Sequence, residues 1–339
     1  MKGFIDLEDL DDRELAGVLA LAVDLEKEPL RPLLRGSTGA LLFMNPSLRT
    51  LASMQAGIAQ LGGSSFVITP GQGTWHFETK SGAVMDGDKA EHIREAIPVL
   101  LQYADFLAVR CFAKGKDLAE DLADGEIRAM AELSPKPFIN LESAISHPCQ
   151  ALADWKTLND LAIPADASGR FVLSWVYHPR ALPLAVASTA LKMAARRGMN
   201  VTVLRPEGYA LPESVMATAR SLAARSGGSV AETDDRRAAL EGAHVLYAKS
   251  WTAPAFYGRP DAEKIEREKH RHWCVDEPWF APARPDAKFM HCLPVRRNVK
   301  VTDRVLDGAR SVVIKQAGNR LHGQKALLAH LLGRKGNDR

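Results

Sequence analysis

Apolar positions along this chain follow two alternating rhythms. Between residues 9 and 26 they recur as Leu10, Leu15, Val18, Leu19, Ala22 and Leu25, close to the helical period, with acids near the start, and an amphipathic helix is expected there. Beyond it, short apolar runs at 40–44, 65–68, 106–110 and 137–141 read as strands. Helical patterns follow the first run and cover 92–103 and 125–133. A second series has candidate strands at 171–175, 200–204, 229–232, 244–248, 289–291 and 311–314, with helices over 181–197, 212–225 and 236–241. Strands that read as continuous apolar runs, separated by helices, are the mark of parallel sheets covered on both faces. The expected fold is α/β: two doubly wound parallel-sheet domains linked by helices.

The expected boundaries are 1–148 for the first domain, 149–322 for the second, and 323–339 for a C-terminal segment whose helix, near 324–332, packs back on the first domain. The two are joined near residues 145–155, with a helix there bridging them. The dinucleotide fingerprint GxGxxG is absent, which disfavours a nicotinamide enzyme.

Composition narrows the classes further. With 339 residues, 46% of them hydrophobic, the chain can build two ordinary cores. A net charge of +3 without a basic block points away from nucleic acid and leaves anionic small molecules open. Cys111, Cys149, Cys274 and Cys292 lack CxxC spacing, so neither a disulfide framework nor a structural zinc site is suggested, and no cofactor or metal is expected. The opening Met1-Lys2-Gly3-Phe4-Ile5-Asp6 does not read as a secretory signal, and no apolar run reaches membrane-spanning length, so a cytoplasmic protein without a membrane partner is expected.

Candidate chemistry gathers where strands end. In Leu41-Leu42-Phe43-Met44-Asn45-Pro46-Ser47-Leu48-Arg49-Thr50, an apolar run breaks at Asn-Pro and delivers two hydroxyls around an arginine to a helix start. Exposed backbone N–H groups, the positive end of the helix dipole and a guanidinium together suit a phosphate. The same residues also suit a serine N-cap beside an exposed arginine. Ligands of open α/β sheets collect beyond the carboxyl ends of strands, and other predicted exits carry Arg110, His147-Pro148-Cys149-Gln150, His178-Pro179-Arg180, Lys249-Ser250-Trp251, His291-Cys292-Leu293-Pro294 and Asn319-Arg320.

Ser-x-Arg-Thr, His-Pro-Cys-Gln and His-Cys-Leu-Pro, in that order and spacing, resemble the aspartate/ornithine carbamoyltransferase superfamily over essentially the whole chain. Thr74-Trp75, Val84-Met85-Asp86-Gly87-Asp88, Glu91-His92, Tyr247 to Trp251 and Pro294 to Lys300 resemble its N-acylornithine branch, the N-acetylornithine and N-succinylornithine carbamoyltransferases. The resemblance implies transfer of a carbamoyl group from carbamoyl phosphate to the side-chain amine of an N-acylated ornithine in arginine biosynthesis. It assigns Ser47, Leu48, Arg49, Thr50, Trp75, Arg110, His147, Gln150, Cys292, Leu293 and Arg320 to carbamoyl phosphate, with Thr50, Arg110, His147 and Cys292 at the reacting group. Trp75 is implied to reach a neighbouring subunit's site, hence a homotrimer with interface active sites. Trp75 also reads as an ordinary aromatic, Cys292 as a small buried residue, and His147 as a helix cap.

On the acceptor side the resemblance implies Ala90, Glu142, His178, Arg180, Lys249, Arg296 and Lys300, the last matching a lysine that can be carboxylated in acetylornithine enzymes. Ordinary ornithine enzymes share an Asp-x-x-x-Ser-Met-Gly segment for the free α-amino group; here its place reads Thr252-Ala253-Pro254-Ala255. At Ala90 the acetyl enzymes share glutamate and the succinyl enzymes proline, and a small neutral side chain removes repulsion of a succinyl carboxylate. N-succinylornithine is therefore favoured over N-acetylornithine. Leu51 and Gly318 depart from the basic and acidic residues usual at those positions. A carbamoyltransferase for another amine, or a non-catalytic homologue, is the alternative reading.

Overall fold

The computed structural model describes residues 3–333. They divide into two compact units: the first takes the chain up to Ala113, Ala123–Leu152 and everything from Arg320 onward, and the second takes Lys114–Leu122 and Ala153–Asn319. The division therefore falls a few residues beyond the expected 148/149 boundary, and a short stretch of the amino-terminal half counts with the second unit. Residues 334–339 of the expected C-terminal segment lie outside the described residues.

In the first unit, β1 (Gly3–Phe4), α1 (Asp12–Lys27), β2 (Thr38–Phe43), α2 (Leu48–Gln60) and β3 (Ser64–Ile68) are followed by a small parallel pair, β4 (Phe77–Glu78) and β5 (Glu91–His92). Then come α3 (Ile93–Tyr103) and β6 (Phe106–Arg110); α4 (Leu118–Ala123) lies at the unit boundary, before α5 (Gly125–Glu132) and β7 (Phe138–Glu142). The main sheet has the order β1-β7-β6-β2-β3, parallel throughout. Ala40, Leu42, Leu107 and Val109 of its central strands pack with Ile93, Ile97 and Leu101 of α3 and with Ile127 and Met130 of α5. Gly39 pairs with Phe106 in register, and a β-carbon at Gly39 would overlap the Phe106 ring, so glycine there is what lets two central strands close around that aromatic.

α6 (Pro148–Asp160) starts in the first unit and ends in the second. The second unit continues through β8 (Arg170–Trp175), α7 (Ala185–Arg196), β9 (Asn200–Leu204), α8 (Glu213–Ser226), β10 (Ser229–Thr233), α9 (Arg236–Leu240) and β11 (Val245–Lys249), then α10 (Pro260–Glu268), β12 (Lys288–Met290) and α11 (Asp303–Leu306). Its sheet, order β10-β9-β8-β11-β12, is also parallel. α12 (Val313–Leu332) begins in this unit and ends in the first.

Two expectations are corrected here. Residues 311–314 form no strand: Ser311 makes one isolated bridge to Phe289, and α12 starts at Val313. The helix expected from 181 begins at Ala185, because Pro183 biases the residue before it to extended backbone.

Both sheets reverse winding direction once. In the first, the chain goes from β2 out to β3 and returns to β6 on the other side of β2; in the second it goes from β8 out to β9 and β10 and returns to β11 on the other side of β8. Crevices at such switch points are where open α/β sheets bind ligands. The exits of β2 and β6 in one unit, and of β8 and β11 in the other, are the strand ends singled out by sequence.

Candidate active site

The exit of β2 is a helix start. Ser47 caps α2 in extended conformation and its hydroxyl accepts from the Thr50 N–H at 3.3 Å, so the N-cap reading describes its side chain. Capping does not exclude an anion: the first-turn amides still carry the positive end of the dipole. Leu48 is exposed, Arg49 half-buried and Thr50 buried.

Across the switch point, β6 ends in Arg110. The register between β6 and β7 shifts at Val109/Arg110, so that Arg110 comes opposite Glu142. The two side chains form a buried ion pair through Arg110 Nη1 and Glu142 Oε2. The same carboxylate oxygen lies 3.3 Å from His147 Nε2, which is 3.4 Å from Arg320 Nη1. Arg320 Nη1 donates to Gln150 Oε1 at 3.0 Å and Nη2 donates to Thr50 Oγ1 at 3.2 Å. Thr50, Arg110, Glu142, His147, Gln150 and Arg320 are thus one hydrogen-bonded cluster inside the first unit, all buried. Glu142, expected on the acceptor side, is here the counter-ion of Arg110. Cys149, between His147 and Gln150, donates from Sγ to the Asn140 carbonyl at 3.6 Å, and burial pushes its thiol up to about 11, which makes it structural.

The second cluster lies in the second unit. Lys300 is buried, 3.5 Å from His291 Nε2; burial first, then the cations Lys249, Arg296 and Arg267, push its pKa down to about 7, Cys292 opposing. His178 is pushed down to about 4 by burial and then by Lys300, Arg296 and Lys249. Its Nε2 accepts from Arg296 Nε at 3.1 Å while Nδ1 lies 2.8 Å from the Arg180 carbonyl, the bonding expected of a neutral imidazole. The Arg180 side chain is exposed. Cations crowded around Lys300 and His178 form a place for an anion, whose arrival lifts the repulsion.

The exit of β12 turns sharply. Leu293 has φ +55°, rare for a leucine, and its N–H donates to His291 Nδ1 at 2.9 Å. The Leu293 carbonyl is therefore what this residue offers a ligand. His291 is held in turn, its own N–H donating to Gln316 Oε1 at 3.0 Å.

Trp75 stands on the loop before β4, 54% exposed, with Nε1 donating to Glu91 Oε2 at 2.8 Å. Ala90 is exposed immediately before β5. Lys89 on one side pairs with Glu78 at 3.1 Å, and Glu91 on the other holds the indole, so the carboxylate adjoining Ala90 is engaged. Among the described residues no group of His, Cys, Asp and Glu could hold a metal ion.

A family model described as aspartate/ornithine carbamoyltransferase, carbamoyl-P binding domain, matches residues 2–160, and its partner, the Asp/Orn binding domain, matches residues 184–331. Over 335 residues the chain is 43% identical to the N-acetylornithine carbamoyltransferase of Xanthomonas campestris pv. campestris, covering 98% of each. It is 35% identical over 334 residues to the N-succinylornithine carbamoyltransferase of Bacteroides thetaiotaomicron, covering 98% of this chain and 99% of that one. The chain belongs to the aspartate/ornithine carbamoyltransferase family. Within it the chain falls in the N-acylornithine branch, and it is an enzyme of carbamoyl transfer. A solved N-acetyl-L-ornithine transcarbamylase in which one glutamate is mutated to alanine, complexed with carbamyl phosphate and N-succinyl-L-norvaline, matches with a TM-score of 0.94 at 42% identity, covering 98% of this chain and 100% of that one.

For a carbamoyltransferase, the supporting residues are as informative as the motifs, and sequence reading gave none of them a role, although His291 and Glu91 stand inside quoted motifs. His291 and Gln316 hold the Leu293 turn; Glu91 holds Trp75. Glu263 and Arg267 form a buried i,i+4 pair on α10, where Glu263 accepts from Thr252 Oγ1 and, at 2.9 Å, from the Ala253 N–H, and Arg267 donates to the Trp251 carbonyl at 2.8 Å. The i,i+4 spacing of Glu263 and Arg267 was a readable signal; the parts played by Glu91, His291 and Gln316 rest on contacts distant in sequence.

Proposed function

We propose that this enzyme carbamoylates the side-chain amine of an N-acylated ornithine, N-succinyl-L-ornithine in preference to N-acetyl-L-ornithine, yielding N-acylcitrulline and phosphate. One observation carries the acyl preference: Ala90 contributes only a methyl group, and the carboxylates beside it are occupied by Trp75 and Lys89. At position 90 itself a succinyl carboxylate meets a methyl group in place of a like charge, while the neighbouring Glu91, bonded to a neutral indole, keeps its own charge. That a glutamate-to-alanine mutant of a close structural relative was solved with N-succinyl-L-norvaline supports this reading. The higher identity to the acetyl enzyme, 43% against 35%, favours N-acetylornithine instead, although overall identity weighs every position and acyl choice turns on few.

In this reading the α2 amides, Ser47, Arg49 and Thr50 take the phosphate, with Trp75 of a neighbouring subunit in a homotrimer. Arg110 and His147 aim donors at the carbamoyl oxygen, where negative charge grows as the amine attacks, and so stabilise the transition state more than the ground state. The Leu293 carbonyl accepts from the carbamoyl amino group, with Gln150 orienting it and Cys292 supplying backbone. The amine nitrogen bonds to the carbonyl carbon, the carbon–oxygen bond to phosphate breaks, and the departing phosphate can take the amine's proton. Lys249, Arg296 and Lys300 hold the acceptor carboxylate beside His178 and Arg180, and Glu142 accepts from the acceptor's amide N–H.

The test is to incubate the purified enzyme with carbamoyl phosphate and each amine and to identify products by mass. N-acylcitrulline with N-acylornithines, and no citrulline from ornithine, is expected. Citrulline from ornithine alone, or no product from any amine despite carbamoyl-phosphate binding, would reject the reading.

A further inference from the structure

The loop that follows β11 leaves from Lys249, which the proposed function places at the acceptor carboxylate, and it is fastened to an unexpected part of the chain. Tyr257 donates its hydroxyl to Asp121 Oδ2 at 2.6 Å. Asp121, buried, also accepts from the Lys114 N–H at 3.1 Å and the Gly115 N–H at 2.8 Å, so its carboxylate closes a turn and receives the phenol together. The next residue, Gly258, sits at φ +75°, and a β-carbon there would collide with the Lys116 carbonyl oxygen. Burial, then the bond to Asp121, raises the Tyr257 pKa far above the ordinary phenol value, so the hydroxyl stays a donor at any working pH.

Residues 114–122 are the direct continuation of the strand that delivers Arg110. The Arg110 guanidinium lies over the Phe112 ring, 4.3 Å from its centroid, and the Phe112 N–H donates to Asn45 Oδ1 at 2.8 Å, two residues before the Ser47 cap. Up to Phe112 the chain is therefore pinned to the carbamoyl-phosphate side. From Lys114 it belongs to the second unit, where Asp121 grips the acceptor loop.

We propose that Asp121 and Tyr257 are positioning residues of the transfer reaction, a clasp that sets the acceptor loop, residues 251–259, on the segment issuing from Arg110. They touch no reacting atom. Their effect is on where the acceptor sits, and it rests on the proposed function only in identifying which substrate that is. A side chain that orders a binding loop lowers the cost of ordering it when substrate arrives, so its loss appears in acceptor affinity rather than in the chemical step.

The experiment uses the full-length enzyme and Tyr257→Phe, which removes one hydroxyl and keeps the ring. KM for the N-acylornithine is expected to rise about tenfold, as for loss of a hydrogen bond to a charged group, with kcat within about a factor of two. Carbamoyl-phosphate affinity is expected to stay unchanged. Asp121→Ala should act alike, and the double variant should be no worse than Asp121→Ala alone. Hydrogen exchange supplies an arm independent of substrate identity: amides of 251–259 should exchange faster in Tyr257→Phe, with little change in the strands. An unchanged acceptor KM with unchanged loop exchange overturns the clasp, as does an equal loss of affinity for both substrates. Should the native enzyme turn over no N-acylornithine, the proposed function fails while loop exchange still decides the clasp.

Discussion

Lys300 concentrates the electrostatics of the second unit's cationic cluster in one side chain. Without ligand it holds its proton below about pH 7 and releases it above, whereas its ordinary value is 10.5. Between these values the unfolded chain binds more protons than the folded one, so Lys300 makes the unliganded enzyme gain stability as pH rises through that window. A substrate carboxylate beside it would restore the charge. Titrating N-succinyl-L-norvaline, which lacks the reacting amine, into the carbamoyl-phosphate complex at pH 8 in two buffers of different ionisation heat is expected to show uptake of about one proton. Lys300→Arg, charged throughout, should abolish the uptake; uptake persisting in that variant would place the proton elsewhere. Ala90 was singled out by resemblance alone, since the engagement of Glu91 by Trp75 is a tertiary fact.

At the scale of elements, most strands and helices were readable because their buried faces are apolar. α12 was not. Its earlier turns bury Gln316, Asn319 and Arg320, and Gln324 after them, which recur at helical spacing but carry no hydrophobic signal, and Gly318 and Gly323 weaken helix propensity further. Buried polar side chains of this helix explain why it exists: Gln316 holds His291, Arg320 joins Thr50 to Gln150, and Lys325 Nζ donates to the Leu25 and Pro29 carbonyls at 2.9 and 3.1 Å. α10 was missed for a related reason, its buried positions being Glu263 and Arg267. Arg267→Met leaves a buried carboxylate without its cation and should cost about 3–5 kcal/mol in urea denaturation, much of it recovered by adding Glu263→Gln. A loss under about 1 kcal/mol would mean that the pair does not hold the acceptor loop.

At the scale of the whole molecule, the two-sheet plan followed from alternation of strand and helix, and the switch points then named the strand ends where chemistry belongs. The exchange of residues 114–122 into the second unit left no trace in hydrophobic pattern, because it depends on Asp121 and Tyr257 meeting across a long stretch of sequence. Among the described residues no helix is long and apolar enough to cross a membrane. Substrate choice is the property in which the proposed roles of cationic cluster, loop clasp and Ala90 meet. The most direct measurement is kcat/KM for N-succinylornithine and N-acetylornithine with the native enzyme and with Ala90→Glu at saturating carbamoyl phosphate. The native enzyme is expected to prefer the succinyl substrate, and Ala90→Glu to lose at least about tenfold in succinyl activity through like-charge repulsion while retaining acetyl activity. A native enzyme that uses only N-acetylornithine, or a variant whose succinyl activity is unchanged, would contradict the assignment of acyl choice to Ala90.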